Sequence, residues 1–125
     1  MNQPEIMLGM VSNLWSRQMN FINAGDIEHG HKHHFDHLTL LATGALRVTI
    51  DGKDTDYKAP YMIFISKDKH HELTALENNT VAYCIHALRD KDTGDIIDPS
   101  MYPNGNIPPE DCLDICNEEF KKEHV

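Results

Sequence analysis

Residues 28–44 read EHGHKHHFDHLTLLATG, and five of the chain's nine histidines (His29, His31, His33, His34 and His37) fall in the first ten of these positions. His31, His33 and His37 share odd parity, which an extended chain sets on one face. Leu38-Thr39-Leu40-Leu41 follows as an apolar run with strand character, and Gly44 closes the stretch. A neutral imidazole is the commonest metal ligand near neutral pH. Two imidazoles at i and i+2 of a strand can converge on one ion. The plainer alternative is a solvated histidine-rich loop, against which the sheet-like flanks argue. His34 has the opposite parity and falls at an expected turn, so it is expected in solvent, as are His29 and His70.

Working outward, the flanks alternate as strands do. Leu46, Val48 and Ile50 alternate with Arg47 and Thr49, which predicts a half-buried strand. Asp51-Gly52 follows, the dipeptide favoured in a two-residue hairpin. Asp54 to Tyr57 is the expected return strand, ended or held at an edge by Pro60. Tyr61 to Ile65 reads as a fully buried strand. His70 to Leu76 and Thr80 to His86 read as two more, separated by Asn78-Asn79. Upstream, Leu14 to Ile22 mixes apolar and polar residues as an edge strand does. Met7, Leu8, Met10 and Val11 suit a first strand or a dimer arm. Residues 89–109 form a polar, proline-rich loop expected to lie over the body. From about 109 to 122 the pattern is helical: Pro108-Pro109 at the start, Glu110 and Asp111 in the first turn, and an apolar stripe of Cys112, Cys116 and Phe120. Lys121 and Lys122 stand near its other end.

Composition narrows the function classes. The 125 residues suit one domain, 1–125, with a barrel core over about 14–90. The formal charge of −9, from 20 acidic against 11 basic residues, argues against nucleic-acid binding, which needs a basic patch. No apolar run has the length of a membrane span. The first residues lack the basic-then-apolar order of a signal peptide. Three cysteines, Cys84, Cys112 and Cys116, do not suggest a disulfide framework. A reducing cytoplasm is the expected compartment.

Seven or eight short strands followed by one helix predict an antiparallel sandwich or barrel. His31-x-His33-x3-His37-x6-Gly44 resembles the first motif of the cupin superfamily, H-x-H, three or four residues, E, six residues, G. The departure is His37, where most cupins carry glutamate. Residues 66–71 resemble the second motif, P-x-G-x-x-H, with Ser66 and Asp68 in place of its proline and glycine. His71 then takes the ligand position and shares a face with Leu73 and Ala75. The resemblance covers roughly residues 20–90. It implies an all-β jelly-roll, a double-stranded β-helix with one C-terminal helix, in the manner of the RmlC-like cupins. It also implies one divalent transition metal per chain, held by His31, His33, His37 and His71, and a homodimer.

Four imidazoles carry no charge of their own, so a bound divalent ion keeps its full positive charge and favours an anionic ligand. Imidazole suits iron, nickel, copper and zinc; the resemblance implies iron first, with nickel, copper, zinc or manganese as alternatives. Whether three or four histidines bind is left open. The function this implies is an Fe(II)-type dioxygenase or other oxidoreductase on a small organic substrate, similar to three- and four-histidine cupin dioxygenases. A non-catalytic module binding a small molecule or sugar, and a Lewis-acid lyase or isomerase, are the alternatives, because fold alone does not fix chemistry. His86, Tyr83 and Arg47 are candidate catalytic groups and Tyr61 a candidate lining residue, though parity leaves their facing undecided.

Overall fold

The alternation of Leu46, Val48 and Ile50 with Arg47 and Thr49 builds β5 (Ala45–Ile50), with Leu46 and Val48 buried. Asp51 and Gly52 both take positive φ, 49° and 83°, and return the chain directly into β6 (Lys53–Lys58). Two left-handed residues give the turn whose twist matches the flanking strands, which is why Asp-Gly was the signal. The computed structural model describes residues 2–31, 36–66 and 69–102. Seven further strands lie in them: β1 (Glu5–Val11), β2 (Leu14–Phe21), β3 (Ile27–His31), β4 (His37–Thr43), β7 (Tyr61–Ile65), β8 (His71–Ala75) and β9 (Thr80–Ala87). The helix expected over 109–122 lies outside the described residues, as does the end of the 89–109 loop.

The strands form two antiparallel sheets, ordered β1-β2-β9-β4-β7 and β3-β8-β5-β6. Sequence neighbours such as β3 and β4 sit in different sheets, the crossing pattern of a jelly roll. The inner faces meet in a core of Met19, Phe21, Leu41, Leu46, Val48, Ile63, Ile65, Leu73, Ala75 and Ala82. Gly44 is required where β4 turns into β5. Its φ is +81°, and a Cβ there would stand 2.8 Å from the Thr80 Cα. The Thr80 hydroxyl fills that space, donating to the Glu77 carbonyl at 2.9 Å and accepting from the Ala45 N–H at 3.3 Å.

Two expectations are corrected. The Leu14–Ile22 stretch is not an edge strand: β2 lies between β1 and β9, and its polar residues alternate because only one face is covered. Tyr61–Ile65 is not buried throughout. β7 is the edge of its sheet, and Met62 and Phe64 are 66% and 64% exposed while Ile63 and Ile65 are sealed. An unbroken apolar run cannot tell burial on both faces from an apolar outer face.

The chain after β9 folds back on the barrel. Arg89 bridges to Ile96, the Asn13 carbonyl accepts from the Leu88 N–H at 2.7 Å, and Asn13 Nδ2 donates to the Ile97 carbonyl at 3.1 Å. Ile97 and Leu88 pack on Trp15 in a second small core, beside Tyr102. The described part of the long loop therefore does lie over the body, against the Trp15 end.

Candidate metal centre

Strand register sorts the inner face into rows. At one end stand Met19, Ala82 and Leu41, all fully buried. The next row, two residues along each strand, is Arg17, Cys84, Thr39 and Ile63. The last is Trp15 and His86, with His37 registered to Ile65 on β7. Leu38 is registered with Ile85, and the next residue of each strand is His37 and His86. The opposite sheet runs in parallel levels: Ala75 with Leu46, then Leu73 with Val48 and Glu28, then His71 with Ile50 and His31. Both sheets thus pass from a sealed apolar end to an end that carries the histidines.

His71 is buried, 5% exposed, on the same face as Leu73 and Ala75, the facing chosen over His70, which is exposed. Its direct partner across the β3–β8 ladder is His31. That pairing depends on a register shift between Glu28 and His31. One extra residue in β3 changes which positions share a face beyond it. His33 lies outside the described residues, as do the side chains of His31 and His37. The backbone places His31 and His71 opposite one another, and His37 begins β4 in the facing sheet.

The donor chemistry of His71 fits a metal. Its Nδ1 lies 3.3 Å from the Lys69 carbonyl, a contact that places the proton on Nδ1 and the lone pair on Nε2. Burial lowers its pKa, opposed by the Lys69 carbonyl and more weakly by the charge of Glu28. Burial likewise pushes His86 down to about 4, against the pull of its contact with the Ala87 carbonyl, 3.0 Å from Nδ1. Both imidazoles are held neutral at physiological pH, the form in which a histidine can ligate.

His86 faces inward with its ring 4.5 Å from that of Trp15. Tyr83 and Arg47 face the other way. Tyr83 is registered with Gln18 and Leu40 on the outer face, and Arg47 forms a bidentate pair with Asp56 at 2.7 and 3.0 Å in solvent. Tyr61 is half-exposed and packs against Tyr57, the ring centroids 4.9 Å apart and the planes tilted by 44°. Neither Tyr83 nor Arg47 belongs to the histidine end. His29 is exposed beside Glu72, as expected.

Sequence reasoning missed three inward groups. Trp15 is buried with no hydrogen-bond partner for Nε1 among the described residues. Arg17 and Glu28 form a salt bridge of 2.8 Å between the two sheets, each side chain 15% exposed. Arg17 was findable: it interrupts an alternation of Trp15, Met19 and Phe21. Glu28 was not, because it faces Leu73 and its relation to the histidines runs through the shifted register of β3.

No protein-family model matches the chain, and no curated protein matches it in sequence. Solved structures do match in three dimensions. KdgF from Halomonas sp. is similar over 70% of this chain and 82% of its own, at 18% identity and a TM-score of 0.59. A cupin-2 domain protein from Shewanella frigidimarina matches over 70% and 84%, at 17% identity and a TM-score of 0.57. An uncharacterized double-stranded β-helix protein from Klebsiella pneumoniae matches over 76% and 81%, at 13% identity and a TM-score of 0.61.

Proposed function

From the cupin fold of this chain we infer a mononuclear metal protein whose ion is held by His31, His33, His37 and His71 and whose chemistry is that of an Fe(II)-type dioxygenase on a small organic substrate. The observation that carries the reading is the buried, neutral His71 directly opposite His31, with its Nδ1 anchored on the Lys69 carbonyl. An imidazole set leaves the charge of the ion uncompensated, so the metal, when bound, supplies a strong Lewis acid with positions for an anionic substrate and an oxidant. The chain's own residues do the rest. Lys69 fixes the tautomer of His71. His86 and Trp15 line the same end, and the fold-back at Leu88 and Ile97 covers Trp15.

Surroundings and assembly belong to the same reading. No helix among the described residues is long and apolar enough to cross a membrane. A cytoplasmic setting is part of the same proposal. A homodimer is supported by the exposed Met62 and Phe64 on β7, registered with Leu40 and Leu38 on the outer face.

Metal content by mass spectrometry on untagged protein tests the proposal. About one transition metal per chain is expected, with iron supporting oxidative chemistry and zinc the Lewis-acid alternative. His33→Ala is expected to lose most of the metal and keep the circular dichroism of the barrel. Unchanged metal in that variant would remove the site assignment. Absence of metal from the parent protein, even after anaerobic iron addition, would turn the reading toward a binding module.

A further inference from the structure

Residues 88–97 form a short hairpin that runs on from β9. Arg89 bridges to Ile96, and the Ile97 N–H donates to the Leu88 carbonyl at 3.0 Å. The Asp90 N–H donates to the Asp95 carbonyl at 2.9 Å, and the Gly94 N–H to the Asp90 carbonyl at 2.8 Å. Gly94 helps to close the turn with a φ of 77°. Asp90 Oδ1 accepts from the N–H groups of Asp92 and Thr93 at 2.8 and 3.0 Å, and Arg89 Nη1 donates to the Gly94 carbonyl at 2.9 Å. All of these bonds lie within the hairpin, so it can move as a unit without breaking them.

Its base is tied to the barrel at one corner. Asn13 stands in the turn between β1 and β2 and holds both arms of the hairpin. Its carbonyl accepts from the Leu88 N–H at 2.7 Å, and its Nδ2 donates to the Ile97 carbonyl at 3.1 Å. Leu88 and Ile97 there pack over Trp15, whose ring lies against that of His86. Trp15 and His86 are both buried, yet Trp15 Nε1 has no hydrogen-bond partner among the described residues. A buried donor without a partner costs the desolvation of that group. Closing the hairpin over Trp15 therefore gains apolar burial and forfeits the indole hydrogen bond, and lifting it reverses both. The closed arrangement is weakened by its own cost, and a side-chain amide on a turn helps to hold it. Segments held in this way open locally well below the cost of unfolding the whole domain.

We propose that residues 88–97 are a flap that lifts as a unit from the Asn13 corner, pivoting at the end of β9, and that its opening admits water and small solutes to Trp15 and His86. Asn13 is the latch. In the open state water satisfies the indole N–H, and in the closed state Leu88 and Ile97 exclude it. That the flap also controls passage to a metal rests on the reading above; the flap itself does not.

Hydrogen exchange followed by NMR tests this, because Trp15 is the chain's one tryptophan and gives a single indole N–H signal. In the wild type that signal and the Leu88 amide should exchange faster than the slowest core amides, and more slowly than in an unfolded chain. Asn13→Ala deletes the Nδ2 tie. It should speed both by about two- to tenfold, the factor that one ordinary hydrogen bond carries. The Asp90 and Gly94 amides, bonded inside the hairpin, should keep the parental rate, because a unit that lifts keeps its internal bonds. Metal-loaded protein should lose its metal to a chelator faster by the same factor, since a slow step behind rapid opening follows the open population. Equal indole exchange in variant and parent would overturn the proposal. So would acceleration of Asp90 and Gly94 in step with Leu88, which means unravelling, or indole exchange in the wild type as slow as the core, which means no local opening. Metal loss at the parental rate would overturn the link between flap and metal. If Asn13→Ala does not fold, Asn13→Asp, of the same size but without the amide donor, decides instead. A wild type that binds no metal removes the metal reading, and the exchange rates still decide the flap.

Discussion

At one end of the barrel Met19, Phe21, Leu41 and Leu46 are completely sealed, and Gly44 closes so tightly on Thr80 that no side chain fits between. At the other end the same strands carry His71, His86 and Trp15, with Arg17 and Glu28 just beneath. The strands are continuous, so the difference lies in what each inner row contains. The sealed end contributes stability through burial of apolar surface. The histidine end contains groups that burial penalises, Trp15 Nε1 and two depressed imidazoles among them. A fold that places its costs at one end and its stabilising core at the other can vary the first without losing the second.

The largest effect is expected where the core is densest. Phe21→Ala should destabilise by about 3–5 kcal/mol through lost burial and a cavity. Its urea midpoint should fall while the metal content of the folded fraction stays at the parental level. Loss of metal in step with stability would mean that the two ends are one unit. Gly44→Ala should cost about 2–4 kcal/mol, from a left-handed φ combined with overlap on Thr80. Thr80→Ser in the same background should not rescue it, because the Thr80 Cα is itself in the way; denaturant melts of both would show this.

The histidine end should betray itself in acid. His86 titrates near 4 in the folded chain and near 6.5 when unfolded. The unfolded state therefore binds more protons between those values. The stability linked to His86 is complete above about pH 6.5 and is lost as pH falls toward 4, by up to about 3 kcal/mol. His71, also lowered, acts with the same sign. In metal-free protein, His86→Gln should flatten the midpoint-against-pH curve over this window relative to the parent. A curve of unchanged slope would mean that His86 is not buried as described. The smallest effect belongs to the outer face. Arg47→Ala breaks an exposed pair with Asp56 and should leave the melting midpoint and the metal content unchanged. A loss of metal in that variant would return Arg47 to the site.

Much of this was readable along the chain. The alternation of Leu46, Val48 and Ile50 marked β5, Asp51-Gly52 marked its hairpin, and His71 was separated from His70 by the company of Leu73 and Ala75. Each of these is a local property, because side-chain period and turn chemistry are written in a few consecutive residues. The spacing of His31, His33, His37 and Gly44 pointed to the cupin fold for a related reason. Histidines on two consecutive strands and a tight glycine turn at the end of the second fix the number of residues between them.

What the sequence determined by itself was therefore most of the strands, how each divides its side chains between two faces, and the fold class. The tertiary structure alone decided which strand has a neighbour on each side, so that β2 is flanked by β1 and β9 while β7 is an edge. It also decided that Tyr83 and Arg47 face outward, that His86 lies beside Trp15, and that Arg17 meets Glu28 across the barrel. These depend on contacts between residues far apart in the chain, and on one shifted register in β3. Periodicity fixes how a strand divides its side chains between two faces, but only packing against the other sheet decides which face is inside.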